Sequence, residues 1–242
     1  MEITLTLLVS IVIMAFFCEY IDSSLGMGYG TTLTPLLLLL GFAPLQVVPA
    51  ILLSEFLSGV TAGLLHSKLG NIKLDFSRDE ELIRKRLSGW GYIPKSTDSK
   101  VIFILSICGV IGVTIAVFIA LNIPKILLKT YIGVMVTAIG IIILIKRKQG
   151  FRFSWRKITF LGFISGLNKG ISGGGYGPLV TGGQILSGRS AKESIGSTSF
   201  TEGLVCLVGF LFYLLLKGDI YCLLYTSPSP RDLSTSRMPS SA

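Results

Sequence analysis

Charge is scarce in this chain of 242 residues: only 14% are Asp, Glu, Lys or Arg, while half are apolar. A soluble domain of this size needs more polar surface to cover its core, which excludes a water-soluble fold. Acid is scarcer than base, 13 residues against 22, giving a formal charge of +9. With a mean hydropathy of +0.72, that excess points to basic loops facing the cytoplasm and not to a nucleic-acid groove. Histidine occurs once, at His66, and there is no H-E-x-x-H, C-x-x-C or Rossmann fingerprint, so neither a metal nor a cofactor is expected. Cys18, Cys108 and Cys206 each lie in an apolar run, where they read as free, buried thiols.

Long apolar runs fill the rest. A bilayer core of about 30 Å takes roughly 20 apolar residues per helix. Val101 to Leu121 meets this without a single charge. Further spans are expected over Ile126–Ile145, Ile3–Phe17, Gln46–Leu65, Ile158–Leu167 and Ser194–Leu216. Two apolar pieces, Thr31–Leu40 and Pro178–Leu186, are too short to cross as helices, and each follows a Gly-rich stretch. The expected class is an all-α integral membrane protein, multi-pass in the cytoplasmic membrane. The N-terminus has no basic residue before its apolar run and no A-x-A site, so it reads as a retained helix. The polar loop 67–100 carries Arg84-Lys85-Arg86, and a second basic cluster spans Lys146 to Lys157. Two intervening crossings put both on the cytoplasmic side.

Residues 222–242, CLLYTSPSPRDLSTSRMPSSA, switch abruptly to Ser/Pro-rich sequence. They read as the translation of a sequencing-library adapter and are set aside as non-native. The expected organisation is a first transmembrane repeat over 1–148 and a second, truncated repeat over 149–221.

The chain repeats itself. A shift of 147 residues lays Gly26-Met27-Gly28-Tyr29-Gly30 on Gly173-Gly174-Gly175-Tyr176-Gly177. The same shift lays Thr34 on Thr181, Gly41 on Gly188 and Glu55 on Glu202. Internal duplication with paired broken helices is a mark of secondary-transporter folds. If each short helix crosses, a repeat has five spans and the halves are inverted. If each re-enters, a repeat has four and the halves are parallel. The basic Arg189 and Lys192 favour inversion.

The Gly-rich breaks carry the most chemistry. Irregular backbone survives at membrane depth only inside protein or beside a polar cavity. A short helix starting there offers free N–H groups and a positive dipole end to an anion. Pro178 is expected at the first helical position of the second copy. The candidate anion-binding residues are Gly26, Gly28, Gly30, Thr31 and Thr32 in the first break. In the second they are Ser172, Gly173, Gly174, Gly175 and Gly177. Glu55 and Glu202 sit in apolar helices, where a charge costs at least ~2.5–3.5 kcal/mol, and are expected to carry protons or line a polar path. Asp22 and Lys169 superpose under the shift, so they either pair across the pseudo-symmetry axis or Lys169 attracts the anion.

Asp22 to Ile72, through GMGYGTTLTPLLLLLGFAP and the Glu55 helix, resembles the first half of the TauE/SafE family of membrane transporters. Gly162 to Ile220, through GLNKGISGGGYGPLVTGGQILSG and SIGSTSFTEG, resembles its second half. The resemblance implies an all-helical permease of two related halves that moves sulfite or small sulfonated anions. The expected function is therefore secondary transport of a small oxyanion by alternating access, coupled to a proton or cation. The partners are then the anion, the coupling ion and the bilayer, with no nucleic acid. Two rival readings stand beside it. Gly170-Ile171-Ser172-Gly173 matches the G-x-S-G of rhomboid-type intramembrane proteases, but their Ser needs a later His base, and His66 lies upstream. A non-transporting scaffold would leave the paired breaks and buried acids without a role.

Overall fold

The computed structural model describes residues 5–25, 28–75, 96–146 and 154–217. They form eight helices: α1 Leu5–Leu25, α2 Tyr29–Leu39, α3 Pro44–Lys68, α4 Thr97–Asn122, α5 Lys125–Lys146, α6 Trp155–Ser172, α7 Tyr176–Leu186 and α8 Ala191–Lys217. Four are long and apolar enough to cross a membrane: Leu5–Asp22, Pro44–Lys68, Thr97–Asn122 and Ala191–Leu216. The chain is an all-helical, multi-pass membrane protein. Gly26, most of the polar loop with Arg84-Lys85-Arg86, most of the second basic cluster and the tail from 222 lie outside the described residues.

The helix boundaries recur at the 147-residue spacing. α1 and α6 end on equivalent residues, α2 and α7 match at both ends, and α3 and α8 begin together. Each short helix is eleven residues long and starts after a positive-φ glycine, Gly28 at 126° and Gly175 at 81°. Only glycine takes these angles without strain, so both breaks are written into the backbone. The short helices begin two residues earlier than expected. Gly30, Thr31 and Thr32, and in the second copy Gly177, therefore sit in a helical first turn and not in the break. Pro178 falls third in α7, not first, where its missing N–H still costs no intrahelical bond. The two long helices also begin alike, with the Gln46 side chain accepting from the Ala43 N–H and Glu193 accepting from the Ser190 N–H.

Glycine seams set the packing. Along α4 and α6, Gly162 meets Leu105, Gly166 meets Gly109, and Gly170 meets Val113 and Ala116. Contacts therefore advance in step, and the two helices are parallel. A Cβ on Gly166 would come within 2.8 Å of the Gly109 Cα, so the backbones touch directly, as small-xxx-small spacing allows. Along α3 and α8 the numbers run in opposition: Leu52 meets Gly209, Gly59 meets Gly203, Gly63 meets Phe200 and His66 meets Gly196. These two equivalent helices are antiparallel.

Both short helices turn back. α7 starts level with Gly109, where Tyr176 lies, passes Gly183 against Leu161, and ends with Arg189 paired to Asp98 at the start of α4. It therefore retraces α6. α2 likewise doubles back on α1, sharing a core of Cys18, Tyr29, Leu33 and Leu37 with Met14 and Ile11. Each of α1–α2 and α6–α7 is therefore a hairpin whose two ends share a side, and α3 and α8, which begin at the 147-residue spacing, run antiparallel.

Candidate functional site

The two hairpin tips meet. A Cβ on Gly174 would lie 2.7 Å from the Gly30 carbonyl carbon and the Thr31 nitrogen, and one on Gly30 would strike the Gly173 carbonyl. The Gly175 N–H donates to the Thr31 hydroxyl at 2.9 Å, joining the breaks across 144 residues of sequence. Ser172 closes its own tip. Its hydroxyl donates to the Asn168 carbonyl at 2.7 Å and accepts the Gly174 N–H at 3.1 Å. Gly173, Gly174, Gly175 and Gly177 are buried, Gly28 is half-buried at the mouth of its break, and Thr32 is exposed on α2. The structure thus brings Gly30, Thr31 and Ser172 to Gly175 together and leaves Thr32 on the outer face.

Behind the tips sits a charged triad. Lys169, in the last turn of α6, is fully buried and ion-paired with both Glu55 and Glu202, the latter at 2.6 Å. Glu55 comes from the middle of α3 and Glu202 from the equivalent position of α8. Glu55 uses both oxygens: Oε2 faces Lys169, and Oε1 accepts the Gly30 N–H at 3.0 Å. Asp22 does not pair with Lys169, as one of the two sequence readings supposed. Its carboxylate accepts the Tyr29 N–H at 3.0 Å. The physical reason is the dipole: the first turn of α2 presents unpaired N–H groups, and two internal carboxylates take them. The two glutamates leave Lys169 no need of a third. Cys206, a turn past Glu202, places its thiol 3.8 Å from Glu55 Oε2.

Beside the triad lies a cavity of about 560 Å³. Its lining includes four acids, Glu19, Asp22, Glu55 and Glu202. Ser58, Thr61 and Ser199 lead from there toward His66 and Leu69, the end at which α3 stops and α8 begins. His66 holds Asn71 through its ring Nδ1 at 3.0 Å and lies eleven residues past Glu55 along α3. Ser172 has its hydroxyl committed to its own helix end, so the two do not form the nucleophile–base pair that a serine protease requires.

One polar network was not foreseen from sequence, where Arg189 was read only as a basic residue bearing on orientation. Arg189 pairs with Asp98 and donates to Gln184 Oε1 at 2.6 Å. Gln184 in turn bonds Thr198 and Ser197, at 3.0 and 2.9 Å. Asp98 also accepts the Lys73 N–H at 3.0 Å. Burial lowers the Arg189 pKa, opposed by Asp98 and Glu193, and a guanidinium stays charged under such a shift. The network ties the α7–α8 corner to the start of α4. Its available signal was the run of Ser and Thr in α8, polar residues that an apolar crossing helix must partner internally.

A sequence model of the family described as Sulfite exporter TauE/SafE matches residues 85–227, more than half of the chain. A protein of Bacillus subtilis (strain 168), named Probable membrane transporter protein YtnM, is 26% identical over 209 residues. That alignment covers 81% of this chain and 61% of the relative, so the chain spans less than two thirds of the relative's length. No solved structure matches.

Proposed function

We infer that this chain, which belongs to the sulfite exporter TauE/SafE family, is a secondary transporter of a small oxyanion such as sulfite or an organosulfonate. The observation that carries the reading is a fully buried lysine, Lys169, held where two broken-helix tips meet. A buried ammonium beside helix N-termini is a setting for anion recognition. The Gly-rich tips with Thr31 and Ser172 supply backbone and hydroxyl donors. Gly26, Gly28 and Thr32 belong to the same proposal as the approaches to the first tip. Glu55 and Glu202 carry protons, and Asp22 holds the first tip in place.

The chain is built of two homologous, inverted halves. The recurring helix boundaries and the antiparallel α3–α8 pair support this, since an axis along the membrane normal would make equivalent helices parallel. The acidic cavity opens toward the ends of α3 and α8 that carry Lys68 and Lys192, the cytoplasmic side by the charge rule. The state described is then inward-facing, and rocking of one half against the other exposes the site outward.

Sulfite flux into proteoliposomes of the full-length protein tests the reading. Gly28→Val or Gly175→Val should abolish flux while the protein still inserts, because neither positive-φ position accepts a branched residue. Normal flux in both would remove the tips from the binding site. Glu55→Gln combined with Glu202→Gln should suppress proton-dependent flux, and unchanged flux would end their role as proton carriers.

A further inference from the structure

We propose that the Glu55 carboxylate is a tethered competitor of the transported anion, occupying the donors that the anion needs and leaving them only when it takes up a proton. The inference rests on the transporter reading above and adds the rule by which proton and anion are linked.

The argument starts from the donors at the first tip. Lys169 Nζ faces Glu55 Oε2, and the Gly30 N–H meets Glu55 Oε1 at 3.0 Å. One side chain therefore bridges the buried cation and the helix N-terminus, the two features that would hold an oxyanion. A sulfonate or sulfite oxygen cannot reach either while Glu55 is ionised and in place.

Charge adds a second barrier. The titratable groups facing Glu55 are Lys169 from α6, Glu202 and Cys206 from α8, Asp22 and Glu19 from α1, and Tyr29 from α2. One cation stands among several acids, so an added anion meets an excess of its own sign. Protonation of Glu55 lifts the first barrier and offsets the second: the carboxylate becomes a carboxylic acid, its ionic bonds to Lys169 and Gly30 are released, and an anion oxygen accepts them instead. One proton entering with one monovalent anion leaves the charge of the site unchanged. The cavity beside Glu55, where Ser58, Thr61 and Ser199 interrupt a largely apolar wall, gives the proton access and the neutral side chain room to turn.

The two glutamates are not interchangeable in this role. Glu202 touches Lys169, but the N–H group bridged to that lysine is Gly30, which belongs to Glu55. The pseudo-symmetric site is lopsided because Asp22 stands in the first half where Lys169 stands in the second.

The test uses methanesulfonate, whose charge does not change across the neutral range, so any pH effect belongs to the protein. Calorimetric titration of the full-length protein in detergent should show affinity falling about tenfold per pH unit on the alkaline side, the linkage of one proton. Glu55→Gln should bind with no such slope, and Glu202→Gln should keep it. Wild-type binding that is flat with pH, or a slope that survives in Glu55→Gln, would overturn the proposal and leave the transporter reading intact. Methanesulfonate that binds no variant at any pH, with no sulfite flux, would sink both. Should Glu55→Gln fail a melting check, Glu55→Asp serves: one methylene shorter, it keeps the slope but withdraws from Gly30. Its affinity should then exceed the wild type's on the alkaline side, where the side chain is ionised, and equal affinity there would count against the competitor.

Discussion

Lys169 holds two carboxylates apart at full burial, and its removal leaves like charges facing each other. Breaking a buried ion pair from one side costs about 3–5 kcal/mol, so Lys169→Met should lower the melting temperature of the detergent-solubilised protein sharply. Adding Glu55→Gln and Glu202→Gln to Lys169→Met should restore most of the loss, since the two carboxylates that Lys169 paired are then neutral. Failure of that rescue would mean that Lys169 stabilises by packing and not by charge. The Thr31 hydroxyl is a smaller test at the same scale. Its bond to the Gly175 N–H is worth about 0.5–1.5 kcal/mol, and Thr31→Val should loosen the tip contact by that much while Thr31→Ser keeps it.

Among the elements, the parallel α4–α6 seam makes the sharpest stability prediction. Gly166 faces the Gly109 backbone, whereas Gly133 on α5 has open space where a Cβ would point. Gly166→Val should destabilise by about 1–3 kcal/mol, the usual cost of overpacking, and Gly133→Val should leave the melting temperature nearly unchanged. The short helices were legible in sequence to within two residues, because glycine punctuates them and their apolar runs are too brief to cross. The partners of the buried charges were not. Glu55 and Lys169 lie 114 residues apart, and no local pattern ranks that pairing above Asp22 with Lys169, which the repeat aligned. Nor did the span count register Gly162, Gly166 and Gly170 as a packing ridge. Their four-residue spacing was visible, but only a neighbouring backbone gives such a ridge its meaning. Re-entry was open for the same reason: whether α7 retraces α6 depends on Arg189 finding Asp98, a contact made after the helices exist.

Across the whole molecule, the antiparallel α3–α8 pair fixes which ends share a side. Single cysteines at the exposed Lys68 and Lys192 should be labelled from one face of the membrane by an impermeant reagent, and cysteines at the exposed Leu40 and Asn122 from the other. The background would carry Cys108→Ser and Cys222→Ser. Labelling of Lys68 and Lys192 from opposite faces would sink the inverted arrangement. The same interleaving has a consequence in time. Among the described residues the glycine face of α3 packs on α8, and Glu55 meets its lysine only when α6 has been made. At about 5–20 residues per second, the ribosome adds those intervening residues in roughly 6–23 s. For that interval the nascent first half waits in the bilayer without the lysine that faces Glu55 in the finished fold, so a neutral carboxyl group is the form expected at birth and the charged one only once α6 arrives.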